Sequence, residues 1–380
     1  MLALTPIYTF GEVFGLLSGT IKDVSVAQTP IYIKLLKDLF FFIIIFWGIF
    51  LKIRYKTIPK IFILFIPILF SLAITLFLTK FNILLFYAGI RWFLPILAMF
   101  FLIGHISKNL LIRISKTLFF LFLLNFSMQT WQFLFMVKFF GQSAEVENNL
   151  RNPGIFFMPG PCAFFVVICL FFSTYYEFSK KAKRIVNIIA PISILLTASG
   201  AGIASYMVIL FFQYFPKFLL KFSVLLSPFI LPVFLGLIVI ISGRGDIFED
   251  SFMPRVKIFF DLFYEIPLFS DRFGSGTSTA YLASNFSGDK LDAVSTESTF
   301  ATIIANLGVI PFFIFMLFYL IWMVIVYVNN SRELWIFTII FSSFGLTTQF
   351  MEVFPQSLIF AVMMAKFLPQ YFKFNTISNT

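Results

Sequence analysis

The chain has 380 residues, of which 60% are hydrophobic and only 12% are charged, and its formal net charge is +11. Soluble domains carry about 25% charged residues, so this composition excludes a soluble protein and is typical of a polytopic membrane protein. The excess of Lys and Arg therefore indicates basic loops that orient the chain in a membrane, and it gives no reason to expect nucleic acid as a partner.

Apolar segments, most of them near the ~20 residues that cross a bilayer, recur along the whole chain. They occupy residues 7–21, 35–51, 59–79, 83–104, 117–140, 155–176, 185–199, 200–215, 221–241, 299–328, 333–351 and 354–372. This pattern predicts an all-α membrane protein with about 12 transmembrane helices in a single domain over residues 1–380. If the first segment lies in the membrane interface and does not span, the count is eleven and the N-terminus changes side.

Stretches rich in Lys and Arg separate several of these segments, at 51–60, 107–116, 177–184 and 216–221. When the segments alternate in direction, all four stretches fall on one side, which the positive-inside rule assigns to the cytoplasm. The opposite, outer side is poorer in basic residues. Lys34 and Lys37 are the exception, because they stand at the outer end of the second segment.

Two stretches break the helical pattern. The sequence "TASGAG" at 197–202 joins two short apolar segments, which predicts either a tight hairpin or one interrupted helix. The stretch 150–163 is rich in Pro and Gly and carries Arg151 at the outer mouth of the sixth segment. Such irregular backbone at a membrane boundary is typical of a ligand-lined cavity or of a rigid turn that leads into a helix.

Arg91 is the first candidate for a functional side chain. It lies about nine residues into the fourth segment from its outer end, and therefore roughly 13 Å deep at 1.5 Å per residue. An arginine at that depth is costly and normally faces a polar cavity or a partner. The alternative is a snorkelling arginine beside a kink at Pro95.

The longest polar stretch is a predicted outer loop at 242–298. Loops longer than ~15 residues are uncommon unless they are functional or disordered. Apolar residues recur in it at helical spacing: Val256, Phe259, Phe260 and Phe263. They predict an amphipathic helix over 253–266, which lies on the membrane surface or roofs the bundle and carries Arg255.

Arginines gather on the predicted outer side of the chain: Arg91, Arg151, Arg244, Arg255 and Arg272. The planar guanidinium group pairs well with phosphate oxygens, so we expect an anionic substrate with a lipid tail, such as a diphosphate-linked lipid. Asp271, next to Arg272, is a further candidate for substrate contact. Glu297, near the outer start of the tenth segment, is the candidate general base.

The sequence contains no nucleotide-binding motif, no DxD motif and no histidine cluster, since its only histidine is His105. We therefore expect a site without cofactor or metal, in which the free energy for any reaction comes from the substrate itself.

Four stretches resemble motifs of the O-antigen polymerase and O-antigen ligase superfamily of bacterial envelope glycosyltransferases. They read "RNPGIFFMPGPCA", "LTASGAGIASYMVIL", "MPRVKIFFDLFYEIPLFSDRFGSGT" and "STESTFATIIANLGVIPFF". The resemblance implies a GT-C-like transferase of the bacterial inner membrane that acts at the periplasmic face on undecaprenyl-diphosphate-linked oligosaccharides, with a chain-length regulator as a further partner. Arg255 matches the arginine of the family's loop helix, and Arg151 fits its first outer-loop arginine; both would bind the diphosphate.

The chain departs from the family pattern in two places. Gly200 stands where the family's helix pair carries an arginine. The ligase branch carries a histidine near the outer start of the late span, where this chain reads "STEST" at 295–299, and this difference favours a polymerase over a ligase. A secondary transporter or a flippase for lipid-linked oligosaccharides is the alternative from another class. The long outer loop, the missing internal repeat and the scarcity of intramembrane carboxylates argue against it.

Overall fold

A computed structural model describes the chain at residues 2–6, 31–55, 62–79, 82–135, 152–156, 159–214, 216, 222, 253–277, 280, 296, 298–329, 331–347 and 349–371. Within these ranges the protein is all-helical. Its α-helices, named α1 to α12 here, are Ile31–Tyr55, Phe62–Leu78, Ile83–Leu102, Lys108–Phe135, Pro159–Tyr175, Lys180–Thr197, Gly200–Tyr214, Met253–Glu265, Thr299–Leu307, Val309–Val328, Arg332–Thr347 and Gln356–Tyr371.

Three of these helices are long and apolar enough to cross a membrane, as judged from length and composition: α3, most of α4, and α10. Shorter apolar helices occur within α2, α5, α7 and α12. The prediction of an all-α membrane protein is therefore confirmed for the part of the chain that the structure describes. The predicted segment 7–21, and all of the segment 221–241 except residue 222, lie outside the described residues.

Most predicted segments match a helix to within a few residues, but two do not. Helix α4 begins at Lys108, nine residues before the predicted start, so most of the basic stretch 107–116 forms its first turns rather than a loop. The segment predicted over 299–328 is two helices, α9 and α10, which separate at Gly308.

Contacts between side chains fix the directions of the helices. Helix α1 runs parallel to α3, because Asp38 pairs with Arg91 near one end and Lys52 reaches the carbonyl of Ile103 near the other. Helix α5 runs parallel to α12 in the same way: the Gln356 amide donates to the Pro161 carbonyl, and Tyr176, just after α5, contacts Lys366. We call the end of the bundle at which α3, α5 and α12 begin the outer end, following the charge pattern of the sequence.

The break after Thr197 is a tight hairpin. Gly202 at the start of α7 packs on Ala163 near the start of α5, and the Gln213 amide near its end donates to Thr174. Helix α7 therefore runs parallel to α5. Helix α6 runs the opposite way, since its first turns lie beside Cys169 and Ser173 near the end of α5. The turn between α6 and α7 is made by Ala198 in the left-handed conformation, with φ of 48°.

The break at Gly308 folds α9 back along α10. The Phe300 and Tyr319 rings lie 6.1 Å apart, so the start of α9 faces the middle of α10. Gly308 has φ of +104°, and a Cβ there would lie 2.6 Å from the Phe269 Cα, so the turn needs glycine. With nine residues, α9 is only about 13 Å long. It therefore begins roughly halfway along α10 and ends at the outer end.

Helix α5 is the centre of the core: every residue from Cys162 to Ser173 is buried. Aromatic rings join it to α11, with Phe164 stacked on Phe344 at 4.0 Å between ring centroids. At the inner end Lys366 of α12 pairs with Glu333 of α11 at 2.6 Å, and both contact Tyr176. His105, in the inner turn after α3, has its pKa lowered by burial and then by the charge of Lys52, so it is neutral at pH 7.

Candidate functional site

A cluster of buried polar side chains lies between α1, α3 and the turn that precedes α12. The Arg91 Nε lies 3.2 Å from one carboxylate oxygen of Asp38, and the Tyr87 hydroxyl donates to the other oxygen at 2.5 Å. The Lys37 ammonium lies 3.9 Å from Asp38 and donates to the backbone carbonyl of Glu352 at 3.1 Å. We call Lys37, Asp38, Tyr87, Arg91 and Glu352 the outer ion cluster.

The charged residues of this cluster are all deeply buried: Lys37 is 4% exposed, Asp38 2%, Arg91 4% and Glu352 7%. A charged side chain in the middle of a membrane helix costs about 2.5–3.5 kcal/mol on insertion scales, so such residues usually serve a site or a partner. The cluster holds two cations, Lys37 and Arg91, and two carboxylates, Asp38 and Glu352, so its formal charges balance. Lys37 and Arg91 are the groups in it that an anionic ligand would contact.

The sequence predicted Arg91 for this site but missed its partner. Asp38 is 53 residues away in the chain and lies on another helix, so only the tertiary fold shows the pair. The stretch "LLKDLFF" does carry a signal, because two adjacent charges in an apolar run are costly without partners. Glu352 was also missed, because it lies 315 residues from Lys37 in the chain and only the tertiary fold brings the two together.

The loop that follows α8 packs on α3 about one turn from Arg91. The Phe273 ring covers Gly89, and Gly274 approaches the Leu85 carbonyl so closely that a Cβ would lie 1.9 Å from the oxygen. Further along, the Gly276 carbonyl accepts the Thr296 hydroxyl at 2.6 Å and the Gln349 amide at 3.2 Å. The loop therefore closes the outer end of the bundle above the ion cluster.

Arg272 and Asp271 lie on the outside of that loop. Their side chains are 48% and 58% exposed, and the Arg272 Nε lies 3.7 Å from an Asp271 carboxylate oxygen. The structure places both residues on the surface at this end of the bundle and not within the buried cluster.

The other predicted site residues are described only in part. The backbone of Arg255 lies in the first turn of α8, and its side chain lies outside the described part. Arg151, Arg244 and Glu297 also lie outside the described residues. Both chain neighbours of Glu297 are buried: Thr296 bonds to Gln349, and Ser298 donates to the Gly345 carbonyl at 3.2 Å.

Helix α8 has two apolar faces. On one face Leu262 is buried, and the Phe259 and Phe263 rings pack on Phe312 of α10, at 5.7 and 5.3 Å between centroids. On the other face Phe260 and Tyr264 are 57% and 89% exposed. The helix is therefore docked on the outer end of α10 and presents aromatic rings outward, as expected for a helix at the boundary between membrane and water.

The described part of the Pro- and Gly-rich stretch, residues 152–156, is a rigid turn. Side-chain amides of α4 hold its backbone. The Gly154 N–H donates to the Gln132 side-chain oxygen at 2.8 Å, and the Gln132 amide donates to the Gly154 carbonyl at 3.0 Å. The Ile155 N–H donates to the Asn125 side-chain oxygen at 3.1 Å. Gln129 donates to the Asn152 carbonyl at 2.9 Å. This turn leads into α5, and its polar groups bind the protein rather than lining a cavity.

The N-termini of several helices meet near the outer end. Helices α5 and α12 are joined there by the contact between Pro161 and Gln356, and α7 begins beside Ala163. Helix N-termini carry a partial positive charge and attract anions, so they favour an anionic group at this end of the bundle.

Beneath this polar layer is a cavity of about 220 Å³ with mainly apolar walls, which is lined by α2, α3, α9, α10, α11 and α12. Trp92, the residue after Arg91, and Met351, the residue before Glu352, both line it. The polar and apolar parts of the site are therefore adjacent.

In the part of the chain that the structure describes, these features define an all-helical membrane protein with a buried cluster of two cations and two carboxylates at one end of its bundle. A comparison with known families, curated proteins and solved structures found no match to the chain. The resemblance to glycan polymerases and ligases therefore depends on the sequence motifs alone.

Proposed function

We propose that the protein is a polymerase of lipid-linked oligosaccharides. Its substrates are repeat units of O-antigen, capsule or exopolysaccharide on undecaprenyl diphosphate, and it acts at the periplasmic face of the bacterial inner membrane. The observation that carries this proposal is the outer ion cluster, whose two buried cations are suited to a diphosphate.

The reaction transfers the growing glycan to the next repeat unit. A hydroxyl of the incoming unit attacks the anomeric carbon of the growing glycan, a new C–O bond forms, and the bond from that carbon to the diphosphate breaks. The hydroxyl proton passes to a base, for which Glu297 is our candidate, or to solvent. The leaving group departs as undecaprenyl diphosphate, and neither metal nor nucleotide takes part.

Arginines supply the charge that stabilises the leaving diphosphate in this proposal. Arg255 acts from α8, Arg91 from the buried cluster, and Arg151, Arg244 and Arg272, with Asp271 beside it, line the approach from the periplasm. The architecture that goes with this assignment is a multi-pass, GT-C-like bundle of 11–12 spans with a periplasmic loop at 242–298. A chain-length regulator is its expected protein partner.

One observation favours a second candidate from another class. The carboxylate of Asp38 is buried in an ion network, and Glu352 is buried beside it, so intramembrane carboxylates are less scarce than the sequence suggested. Buried networks of this kind also occur in ion-coupled transporters. A flippase for lipid-linked oligosaccharides is thus the alternative, while a ligase-like transferase remains the alternative within the same superfamily.

Replacing Arg255 with Ala tests the polymerase assignment. In a strain whose only copy carries this change, we expect the long-chain glycan ladder to fall by about 10²–10³-fold, as for loss of one preorganised donor to a developing charge. Single repeat units should still reach the surface. The readout is the ladder of surface glycan on a gel.

Lys257→Ala is the matched control, because Lys257 is an exposed cation on the same helix. It should leave the ladder unchanged. A normal ladder in the Arg255→Ala strain would refute the assignment. Loss of all surface sugar, with lipid-linked units retained inside the cell, would instead support a flippase.

A further inference from the structure

Lys52 is a buried cation at the inner end of the bundle, opposite the outer ion cluster. It lies in the last turn of α1, where it is 6% exposed, and its ammonium group donates to the Ile103 carbonyl at 3.3 Å. The two carboxylates that the structure describes at this end, Glu177 and Glu333, pair with other lysines. Within the described part of the chain, Lys52 therefore has a hydrogen bond but no counter-ion.

A second group without a partner lies beside this lysine. His105 is in the turn between α3 and α4, and its Nε2 atom is buried with no hydrogen-bond partner among the described residues. Burial lowers the pKa of this imidazole, and the charge of Lys52 lowers it further, so the two side chains are close neighbours. Because buried polar groups are normally paired, a cation without a counter-ion next to an unpaired ring nitrogen indicates a site for an anion.

The turn also has room for a small anion. Gly104, which is exposed, has φ of +85°, and apart from its chain neighbours no atom lies within 4 Å of the place that a Cβ would take. Helix α4 begins at Lys108, three residues after His105, and the Ser107 hydroxyl caps its first turn. The N-terminus of this 28-residue helix adds partial positive charge at the same end of the bundle.

The neighbouring surface of α1 is suited to the hydrocarbon of a lipid. Phe50 and Ile53, on either side of Lys52 in the chain, are 53% and 73% exposed. Large apolar side chains on the outside of a membrane protein contact acyl chains, and cations at the ends of membrane helices attract anionic head groups. A phospholipid that lies along this face of α1 can therefore bring its phosphate to the turn after α3.

We propose that Lys52 and His105 bind the phosphate group of an anionic phospholipid in the leaflet at the inner end of the bundle. The Lys52 ammonium pairs with one phosphate oxygen, and the His105 ring donates from Nε2 to another. The lipid thus fixes the inner ends of α1 and α3, which the outer ion cluster joins at the opposite end. This inference does not depend on the polymerase assignment, since neither residue takes part in the proposed glycan reaction.

The test uses the fact that the chain has a single histidine, so protein labelled with ¹⁵N-histidine reports on His105 alone. The measurement is the dipolar coupling between ¹⁵N and ³¹P in solid-state NMR, on the full-length protein in phosphatidylglycerol vesicles. A phosphate that is held at the ring dephases the Nε2 signal, whereas mobile lipids at the surface average the coupling to zero. We expect clear dephasing of Nε2.

A second sample separates a lipid head group from free phosphate. The protein is transferred to a maltoside detergent, which contains no phosphorus, and inorganic phosphate is added. We expect little dephasing there, because a free ion lacks the acyl chains that keep the head group at this turn. Dephasing by inorganic phosphate but not in the vesicles would refute the lipid and identify free phosphate as the ligand. No dephasing in either sample would overturn the site.

Lys52→Met should lower the affinity for phosphatidylglycerol by about tenfold or more, because a charge-assisted hydrogen bond is lost. Affinity is measured by titrating the lipid into the maltoside sample and following the His105 signal. Methionine keeps the apolar stem of the side chain, and no described carboxylate loses a partner, so we expect the variant to fold.

Lys181→Met is the matched control, because Lys181 is an exposed cation in the first turn of α6 at the same end of the bundle. It should bind the lipid as the unchanged protein does. Equal losses in the two variants would show that only the total charge of the inner end matters. Unchanged binding by Lys52→Met would show that Lys52 merely caps the C-terminus of α3. Either result would contradict the proposal.

Discussion

Replacing Arg91 with Gln is expected to destabilise the protein by about 3–5 kcal/mol and to abolish the glycan ladder. The reason for the loss of stability is that Asp38, which is 2% exposed, keeps a buried charge after its closest cation is removed. The measurement is unfolding of the purified protein in a graded detergent or denaturant series, together with the ladder in cells.

A double variant separates the structural role of Arg91 from its role in binding. Asp38→Asn with Arg91→Gln removes both charges and leaves side chains that can still form hydrogen bonds. We expect only part of the lost stability to return, because Lys37, which is buried 3.9 Å from Asp38, also loses the charge of that carboxylate. The ladder should remain absent, since the guanidinium that binds the diphosphate is missing. A normal ladder in the double variant would mean that Arg91 serves stability alone.

The exposed ion pair between Lys183 and Glu177 is the control for stability. Its atoms lie 3.6 Å apart, and its side chains are 35% and 31% exposed. Such partly solvated pairs contribute about 0–1 kcal/mol to the free energy of unfolding. Lys183→Gln should therefore shift the unfolding curve only slightly.

The second prediction concerns the loop that closes the outer end of the bundle. Gly274→Ala should displace this loop from α3 and abolish activity, because a Cβ at that position would lie 1.9 Å from the Leu85 carbonyl oxygen. The backbone of α3 cannot move away without disturbing Arg91, which lies six residues further along the helix. The measurements are thermal stability and the glycan ladder.

Gly104→Ala is the matched control for backbone strain. Gly104 has φ of +85° and Gly274 has φ of +91°, so an alanine is strained by a similar amount at both positions. A Cβ on Gly104 meets nothing within 4 Å, however, so its substitution should cost only about 1–2 kcal/mol. Equal effects of the two substitutions would show that the contact between the loop and α3 is unimportant.

Much of the fold could be predicted from the sequence, because the apolar segments are long and their ends carry polar or basic residues. The spacing of apolar residues predicted a helix at 253–266, and the structure has that helix at Met253–Glu265. The depth of Arg91 within its apolar segment predicted a polar partner for it, and the structure pairs it with Asp38. The break at Gly308 was missed, because apolar residues continue on both sides of it and local hydropathy cannot show a reversal of direction. The early start of α4 was missed because basic residues were read as a loop, although Lys and Arg are good helix formers.

The candidate site was harder to predict, because its parts come from distant places in the chain. The pairing of Asp38 with Arg91 joins two helices that are separated by α2, and Glu352 enters from a turn more than 250 residues later. The apolar cavity is lined by six helices, and no single one of them shows it. The predicted carboxylate and arginines of the outer loop remain predictions, except that Arg272 and Asp271 are found on the surface.

The central claim is that the protein joins lipid-linked oligosaccharides without help from a metal or a nucleotide. The most direct measurement reconstitutes the purified protein in liposomes with a single species of oligosaccharide on a polyprenyl diphosphate, in the presence of a metal chelator. We predict glycans of two, three and more repeat units, with one free polyprenyl diphosphate released for each bond formed. Movement of intact lipid-linked units across the bilayer, with no longer glycan and no free polyprenyl diphosphate, would contradict the claim.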